Sequence, residues 1–382
     1  MSLLYNKDSL IMDKNNITKQ LDIFCKVISH ILSVRSPHTG CHINRVPILA
    51  DMIARAVSKE QSNKKQKFSD DDYYKIDVAA KLHDCGKTTT PDYLLEKSTK
   101  LELVRNRIHE IRNRFEILRR DAEITCLKQI IADPQSKPQA QTELAQKIKK
   151  LEQDFAFIAA CNIGDSEVSA DDMKKLKRIG KQKFKRYFNR LLGLSWFEKQ
   201  QLTPEQSQKY SHTGFETILQ DNPEDVYKDI PTGEIYNLST NKGTINPLER
   251  KKIEQHAAET AQILDYLQLP PDYACIKNYA AEHHERPNGS GYPLGLTDKD
   301  LSVAGKIIML ADIFEALTSV DRPYKAPKKL SETLRILQAM KNKQQLDAEI
   351  YQIFITKRIF MQYAEQYLKP EQIDQININA YL

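Results

Sequence analysis

From Leu101 to Ala122 the apolar residues fall at Leu101, Val104, Ile108, Ile111, Phe115, Leu118 and Ala122, in alternating steps of three and four. That spacing draws one stripe along an α-helix, whereas a half-buried strand would need steps of two. After a break at "ADPQSKPQAQ" the alternation returns at Leu144, Ile148, Leu151, Phe155 and Ile158. Two heptad-like helices joined by a proline-containing loop predict an antiparallel helical hairpin. The flanking chain reads the same way. "TKQLDIFCKVISHILSV" (18–34), "HINRVPILADMIARAVSK" (42–59) and "YYKIDVAAKLHDCG" (73–86) carry helical apolar spacing, the last stopping near Gly86. The polar segment 59–72 reads as a loop, and from 248 onward the pattern is helical again, broken at "ERPNGSGYPLGL" and "DRPYKAP". With only 12 glycines and plentiful Leu, Ile, Lys, Gln and Glu, an all-α fold is expected, with no strand-rich region.

At 382 residues the chain exceeds one ordinary core, so two lobes or a lobe with a large insertion are expected. "LLEKSTKLE" at 94–102 is echoed by "LSTNKGTINPLERKKIEQH" at 238–256, and residues 103–236 read as an insertion within one domain. A net charge of +6 gives no general case for nucleic-acid binding, and the basic run "KKLKRIGKQKFKR" (174–186) reads as a solvated face. No run is long enough for a membrane span, and no secretion signal is recognisable. Six scattered cysteines without a CxxC pair read as reduced thiols of a cytosolic protein.

The chemistry concentrates in histidine and aspartate. His42 sits in "HINRV", His83 and Asp84 in "KLHDCGK", His256 in "EQHAAE", His283 and His284 in "EHHE", and Asp312 in the apolar "LADIFEALTS". Burying an unpaired carboxylate costs several kcal/mol or more, by order of magnitude, so Asp312 needs a metal or a partner. Singly, each residue has a plain structural reading, which is the one adopted for His30, His109 and His212. Together, five histidines and two aspartates without a cysteine suit a centre of nitrogen and oxygen ligands, closer to iron or manganese than to structural zinc.

"HINRV", "LHDCGK", "PDYLLEKSTKL", "HHERPNGSGYPLGL" and "ADIFEALTSVDRPYK", in this order, resemble the HD-GYP subfamily of the HD-domain metal-dependent phosphohydrolases. The likeness covers roughly residues 35–100 and 237–350, and a subset of the family carries a similar helical insertion. The resemblance implies a bacterial, cytoplasmic phosphodiesterase that hydrolyses cyclic di-GMP through a hydroxide held between metal ions. It implies metal ligation by His42, His83, Asp84, His256, His283, His284 and Asp312, with Asp84 reaching two ions. Lys87 corresponds to the lysine on the scissile phosphate, Gly291 and Tyr292 to the signature loop with Pro293, and Arg322 and Lys325 to a clamp on the second phosphate. Asp321 and Tyr324 are taken as structural. Three-metal members carry a carboxylate four residues before the first histidine, where this chain has His38. On one helix His38 and His42 would face the same way, which makes His38 a further possible metal ligand. An imidazole cannot bridge as a carboxylate does, however, so two divalent ions, iron or manganese, are expected.

The expected layout is therefore an N-terminal helical extension (1–34), an HD-domain helical bundle in two parts (35–102 and 237–350), an inserted helical hairpin subdomain (103–236) and a C-terminal helical tail (351–382). Its expected partner is cyclic di-GMP or a related nucleotide, with the insertion available for homodimerisation or a regulatory protein. Two rival readings stand beside it. One is hydrolysis of another nucleotide, since the fold hosts several substrates; the other is a non-catalytic cyclic di-GMP receptor or partner-binding protein.

Overall fold

The structure is a computed structural model that describes residues 14–60, 67–220, 226–227, 230–319 and 327–382, with backbone alone at 14, 15, 226, 227, 230 and 231. In chain order, α1 (Lys14–Arg35), α2 (Pro37–Glu60), α3 (Asp70–Leu82) and the single turn α4 (Asp92–Leu95) come first. Next are α5 (Ile108–Ala132), α6 (Lys137–Ile163), α7 (Ala170–Gly180), β1 (Lys183–Arg186), α8 (Trp196–Gln200), α9 (Pro204–Ser211), β2 (Gly214–Thr217), β3 (Val226–Tyr227), β4 (Ile230–Pro231) and α10 (Glu234–Leu238). Then follow α11 (Pro247–Tyr266), α12 (Cys275–Ala281), α13 (Val303–Thr318), α14 (Leu330–Asn342), α15 (Ala348–Thr356) and α16 (Ile359–Tyr367). The fold is all-α in character, with strands among the described residues confined to two small antiparallel ribbons, β1–β2 and β3–β4. Both ribbons escape sequence patterning because they are short and, in β1, mostly basic.

The chain divides into two compact units, one of Met1–Glu96 with Lys251–Leu382 and the other of Lys97–Arg250. At the centre of the first, α13 is buried on nearly every side, as its sequence "VAGKIIMLADIFEALT" requires of a helix that is apolar all round. One stripe of α2, with Ile43, Val46, Leu49, Ile53 and Val57, joins the same core. So do Ile17, Leu21 and Leu32 of α1, and Tyr351, Phe354, Phe360 and Tyr363 of α15 and α16. The segments expected as an extension and a tail thus contribute core side chains. Of the loop expected over 59–72, Lys59 and Glu60 belong to α2 and 70–72 to α3, while 61–66 lie outside the described residues; Ser69 caps α3 reciprocally with Asp72.

In the second unit α5 and α6 form the expected hairpin through a 3₁₀ turn at Pro134–Ser136, with the rings of Phe115 and Phe155 5.5 Å apart. The first helix starts later than its apolar stripe. Asn106 Oδ1 accepts the Ile108 amide, 3.1 Å, and the preceding residues close a Glu102–Asn106 bridge that leaves Val104 fully exposed. The unit is also wider than 103–236, because buried polar contacts tie its two ends together. Lys97 Nζ meets Glu249 Oε1 at 2.6 Å, and Lys100 Nζ donates to the Thr240 carbonyl at 2.7 Å. The basic run at 174–186 is divided between α7 and β1.

Candidate metal centre

His83 and Asp84 sit just beyond the end of α3. His83 keeps helical dihedrals (φ −53°, ψ −34°), while Asp84 turns away (φ −103°, ψ 11°). In a continuous helix the two side chains would diverge by about 100°; here His83 Nε2 lies 3.3 Å from Asp84 Oδ2. The turn is set by Gly86, which is pressed against α11. A Cβ at Gly86 would stand 2.0 Å from the His256 carbonyl oxygen and 2.6 Å from the Thr260 nitrogen. Thr260 Oγ1 accepts the Gly86 amide and donates to the His83 carbonyl, both at 3.0 Å. α3 ends at Leu82, four residues before Gly86, so Gly86 serves the docking of two segments and not the helix stop expected of it. His283 and His284 occupy a comparable place, in the 3₁₀ turn Glu282–His284 that ends α12. Four of the seven residues are thus at helix ends, where backbone turns can aim neighbours at one point.

The side chains form two groups, His42 with His83 and Asp312, and Asp84 with His256, His283 and His284; within each, the candidate ligand atoms lie within 4.8 Å of one another. In the first, His42 Nε2 is 3.1 Å from Asp312 Oδ1 and 3.3 Å from His83 Nε2. In the second, His256 Nε2 is 3.0 Å from His284 Nε2. Asp84 faces both groups. Its Oδ2 lies 3.3 Å from His83 Nε2 and 3.6 Å from His42 Nε2, and its Oδ1 lies 3.3 Å from His256 Nε2 and 3.9 Å from His283 Nε2.

The orientation of the rings comes from the backbone. The Nδ1 atoms of His83, His256 and His283 lie 2.7, 2.5 and 2.6 Å from the carbonyls of Ala80, Ile253 and Ala280, each three residues back. A carbonyl can only accept, so Nδ1 carries the proton and Nε2 presents its lone pair to the centre. His42 is held through Nδ1 by Glu315 Oε2. Glu315, three residues after Asp312, was not among the residues picked from sequence; its shared helix face with Asp312 was the available signal. Arg286 was likewise missed. Its guanidinium donates to the carbonyls of His283 (3.2 Å) and Glu285 (2.7 Å), steadying the turn that carries the histidine pair.

Burial alone would raise the Asp84 carboxyl, but Lys87 and His83 outweigh it and hold Asp84 well below the usual carboxylate range. Asp312 follows the same balance, with His42 overcoming burial. Burial pushes His283 down to about 3, and His83 adds to the shift. Burial, then His283 and His256, also hold His284 well below its ordinary value. Neutral imidazoles and ionised carboxylates are the protonation states in which both residue types ligate metals. His42 departs from them: burial is outweighed by Glu315 and Asp312, which raise it to about 9, so that an ion bound there would displace its proton. Two atoms aimed inward, Asp84 Oδ1 and His283 Nε2, are buried without a hydrogen-bond partner. Such orphans cost about 1–3 kcal/mol each, and a cation between them would satisfy both. The donor set is nitrogen and oxygen, and it fits a divalent metal ion.

Lys87 lies in the 3₁₀ turn Cys85–Thr89, its Nζ 2.6 Å from Asp84 Oδ2. The Tyr292 ring lies 4.7 Å from that of His284, and its amide donates to the His284 carbonyl at 3.2 Å. Gly291 is required by close approach, since a Cβ there would stand 2.4 Å from Glu285 Cα and Arg286 N. Glu285 gathers the loop by accepting the amides of Leu294 (2.7 Å) and Leu296 (2.9 Å). His38 shares α2 with His42 but belongs to neither group; its Nδ1 is 2.7 Å from Ser36 Oγ and 3.4 Å from Glu96 Oε1. Arg322 and Lys325, with Asp321 and Tyr324, lie outside the described residues.

Comparison with known proteins gives a family match: residues 229–350 match the family described as HD domain. A 3'3'-cGAMP-specific phosphodiesterase of Vibrio cholerae is 31% identical over 113 residues, 30% of this chain and 25% of that protein. A cyclic di-GMP phosphodiesterase of Thermotoga maritima is 37% identical over 105 residues, 26% of this chain and 27% of that protein. A cyclic di-GMP phosphodiesterase of Pseudomonas aeruginosa is 28% identical over 114 residues, 30% of this chain and 26% of that protein. The chain thus spans about a quarter of the length of these relatives. Among the described residues no helix is long and apolar enough to cross a membrane.

Proposed function

We propose that this chain, which carries an HD domain, is a metal-dependent phosphodiesterase that hydrolyses a cyclic dinucleotide, with cyclic di-GMP the first candidate. The observation that carries the reading is Asp84, whose two oxygens face separate groups of ligand atoms. A carboxylate so placed could serve two neighbouring ions, and a pair of ions is common equipment for phosphodiester cleavage. His42, His83 and Asp312 would hold one ion, His256, His283 and His284 the other, and Asp84 both.

Bound ions of this kind supply an activated water at neutral pH and neutralise charge on the phosphoryl oxygens. The chain's own residues do the rest. Carbonyl-anchored histidines keep the Nε2 atoms convergent, so little reorganisation accompanies reaction. Lys87, partly exposed beside Asp84, is placed to exchange that contact for a substrate phosphate oxygen. Tyr292, stacked near His284, and Gly291 shape the wall where a nucleotide would lie. By their likeness to the family motif, Arg322 and Lys325 would clamp the second phosphate. Two ions of iron or manganese are the expected complement, in a bacterial cytoplasmic enzyme whose ligand residues all belong to the unit of Met1–Glu96 with Lys251–Leu382.

The test is hydrolysis of cyclic di-GMP and of 3'3'-cGAMP by protein purified without oxygen and loaded with iron or manganese, beside Asp84→Ala. Turnover of at least one dinucleotide is expected from the parent, and loss of both turnover and metal from the variant. A fully loaded protein that binds a cyclic dinucleotide without cleaving it would make the chain a receptor instead.

A further inference from the structure

The 97–250 unit carries a surface that metal chemistry does not use. Between Ala170 and Thr217 eleven Lys and Arg residues stand against five Asp and Glu, an excess of six that equals the net charge of the whole chain. The same segment exposes large apolar side chains: Phe188 is 82% accessible, Trp196 76%, Leu192 74% and Phe215 67%, with Tyr187 and Phe197 also exposed. These residues belong to β1–β2 and the loop the ribbon closes. On the ribbon, Lys185 is paired with Phe215 and Lys183 with Thr217, all four exposed, while Phe184 is buried. Lys185 Nζ also lies over the Tyr187 ring, 4.8 Å from its centroid. Cation and apolar ring therefore alternate on one outward face.

The loop is built to present these groups. Arg186 runs beneath it, pairing with Glu216 at 2.6 Å and donating to the His212 carbonyl at 2.6 Å and to that of Phe188. Arg190 pairs with the same carboxylate at 3.5 Å, donates its amide to the Tyr210 carbonyl and covers the Tyr210 ring at 4.1 Å. Ser195 and Glu198 cap α8 reciprocally, which fixes Trp196 and Phe197 at the start of the helix. The polar interior of the loop is satisfied, and its apolar side chains are turned to solvent.

We propose that this ribbon and loop form a docking surface for an anionic lipid membrane, with Phe188, Leu192, Trp196 and Phe197 entering the headgroup region and the flanking lysines facing acidic headgroups. Aromatic and aliphatic side chains among cations are the composition that partitions to such an interface. Charge complementarity selects it over nucleic acid. On the ribbon and its loop both arginines, Arg186 and Arg190, the side chains that fork phosphates best, are engaged internally with Glu216, and the segment's third, Arg178, lies on α7 outside them. What remains outside is a diffuse field of exposed lysines, Lys181, Lys183, Lys185, Lys199 and Lys209 among them, suited to the smeared charge of a bilayer.

Trp196 is the only tryptophan in the chain, so its fluorescence reports on this surface alone. The full-length protein is mixed with phosphatidylcholine vesicles with and without phosphatidylglycerol. A shift of emission to shorter wavelength is expected with phosphatidylglycerol, weakening as salt is raised, and none with phosphatidylcholine alone. The double variant Phe188→Ser, Leu192→Ser keeps the probe and should partition about tenfold less, or weaker still. Both side chains are exposed, so the circular dichroism of the variant should match the parent. Emission that stays unmoved on anionic vesicles overturns the proposal. So does a shift produced only by single-stranded RNA, or only by raising the protein concentration, which would mark the face as an RNA site or a contact between copies.

Discussion

Glu315 on α13 holds the Nδ1 side of His42 on α2, while its other oxygen, Oε1, lies 2.7 Å from Arg45 Nε. The carboxylate is 1% exposed, and it works against burial to raise His42 to about 9. It thus pins the ring that aims Nε2 at Asp312.

Removing the charge while keeping the shape should loosen that aim. Glu315→Gln is expected to weaken metal binding by about tenfold, the lower end for partners that orient a histidine ligand. Titration of the metal-stripped protein with manganese, read by calorimetry, checks it. Unchanged affinity with unchanged stability would show that packing alone orients His42.

Gly86→Ala should damage the centre without altering a ligand. The added methyl would meet the His256 carbonyl and the Thr260 amide, and both are backbone that cannot step aside. A loss of about 1–3 kcal/mol in stability is expected, with reduced metal content at equal protein. Melting temperature and elemental analysis together test it.

The Lys97–Glu249 pair offers a test confined to the other unit. Both side chains are 1% exposed, and Glu249 also accepts the Asn246 amide at 3.1 Å. Lys97→Met strands a buried carboxylate and should cost about 3–5 kcal/mol. Pairing it with Glu249→Leu should restore part of the loss. Urea unfolding of both variants separates the outcomes.

His38 bears on the number of ions. With an imidazole where three-metal relatives of the motif place a carboxylate, two ions per chain are expected, unchanged in His38→Ala. Anomalous diffraction at the metal edge counts them directly. Three occupied peaks, one beside His38 and Glu96, would show that Glu96 supplies the missing carboxylate.

Much of the candidate site was legible because the residue types able to ligate a metal are few and stand in recognisable order. His42, His83, Asp84, His256, His283, His284 and Asp312 all converge in the structure. What the sequence hid is what depends on distant contacts. Val104 fits the helical stripe, yet the side chain of Asn106 starts the helix at Ile108 and leaves Val104 outside. Glu315 carries no sequence signal beyond sharing a helix face with Asp312, because its value lies in reaching a residue 273 positions away. The basic run read as ordinary solvated surface, since the pairing that sets Lys185 opposite Phe215 is invisible before the ribbon forms.

Each group of ligand atoms draws on both sides of the 97–250 unit: His42 and His83 wait for Asp312, and Asp84 waits for His256, His283 and His284. During synthesis, therefore, neither pocket can close while the ribosome is still making the intervening residues. A chain released before Asp312 holds only one of the two, and one released before His256 holds none. On the proposed function, metal capture would be a late event in biogenesis, and an ion retained through purification would certify that translation ran past residue 312 and that both halves found each other.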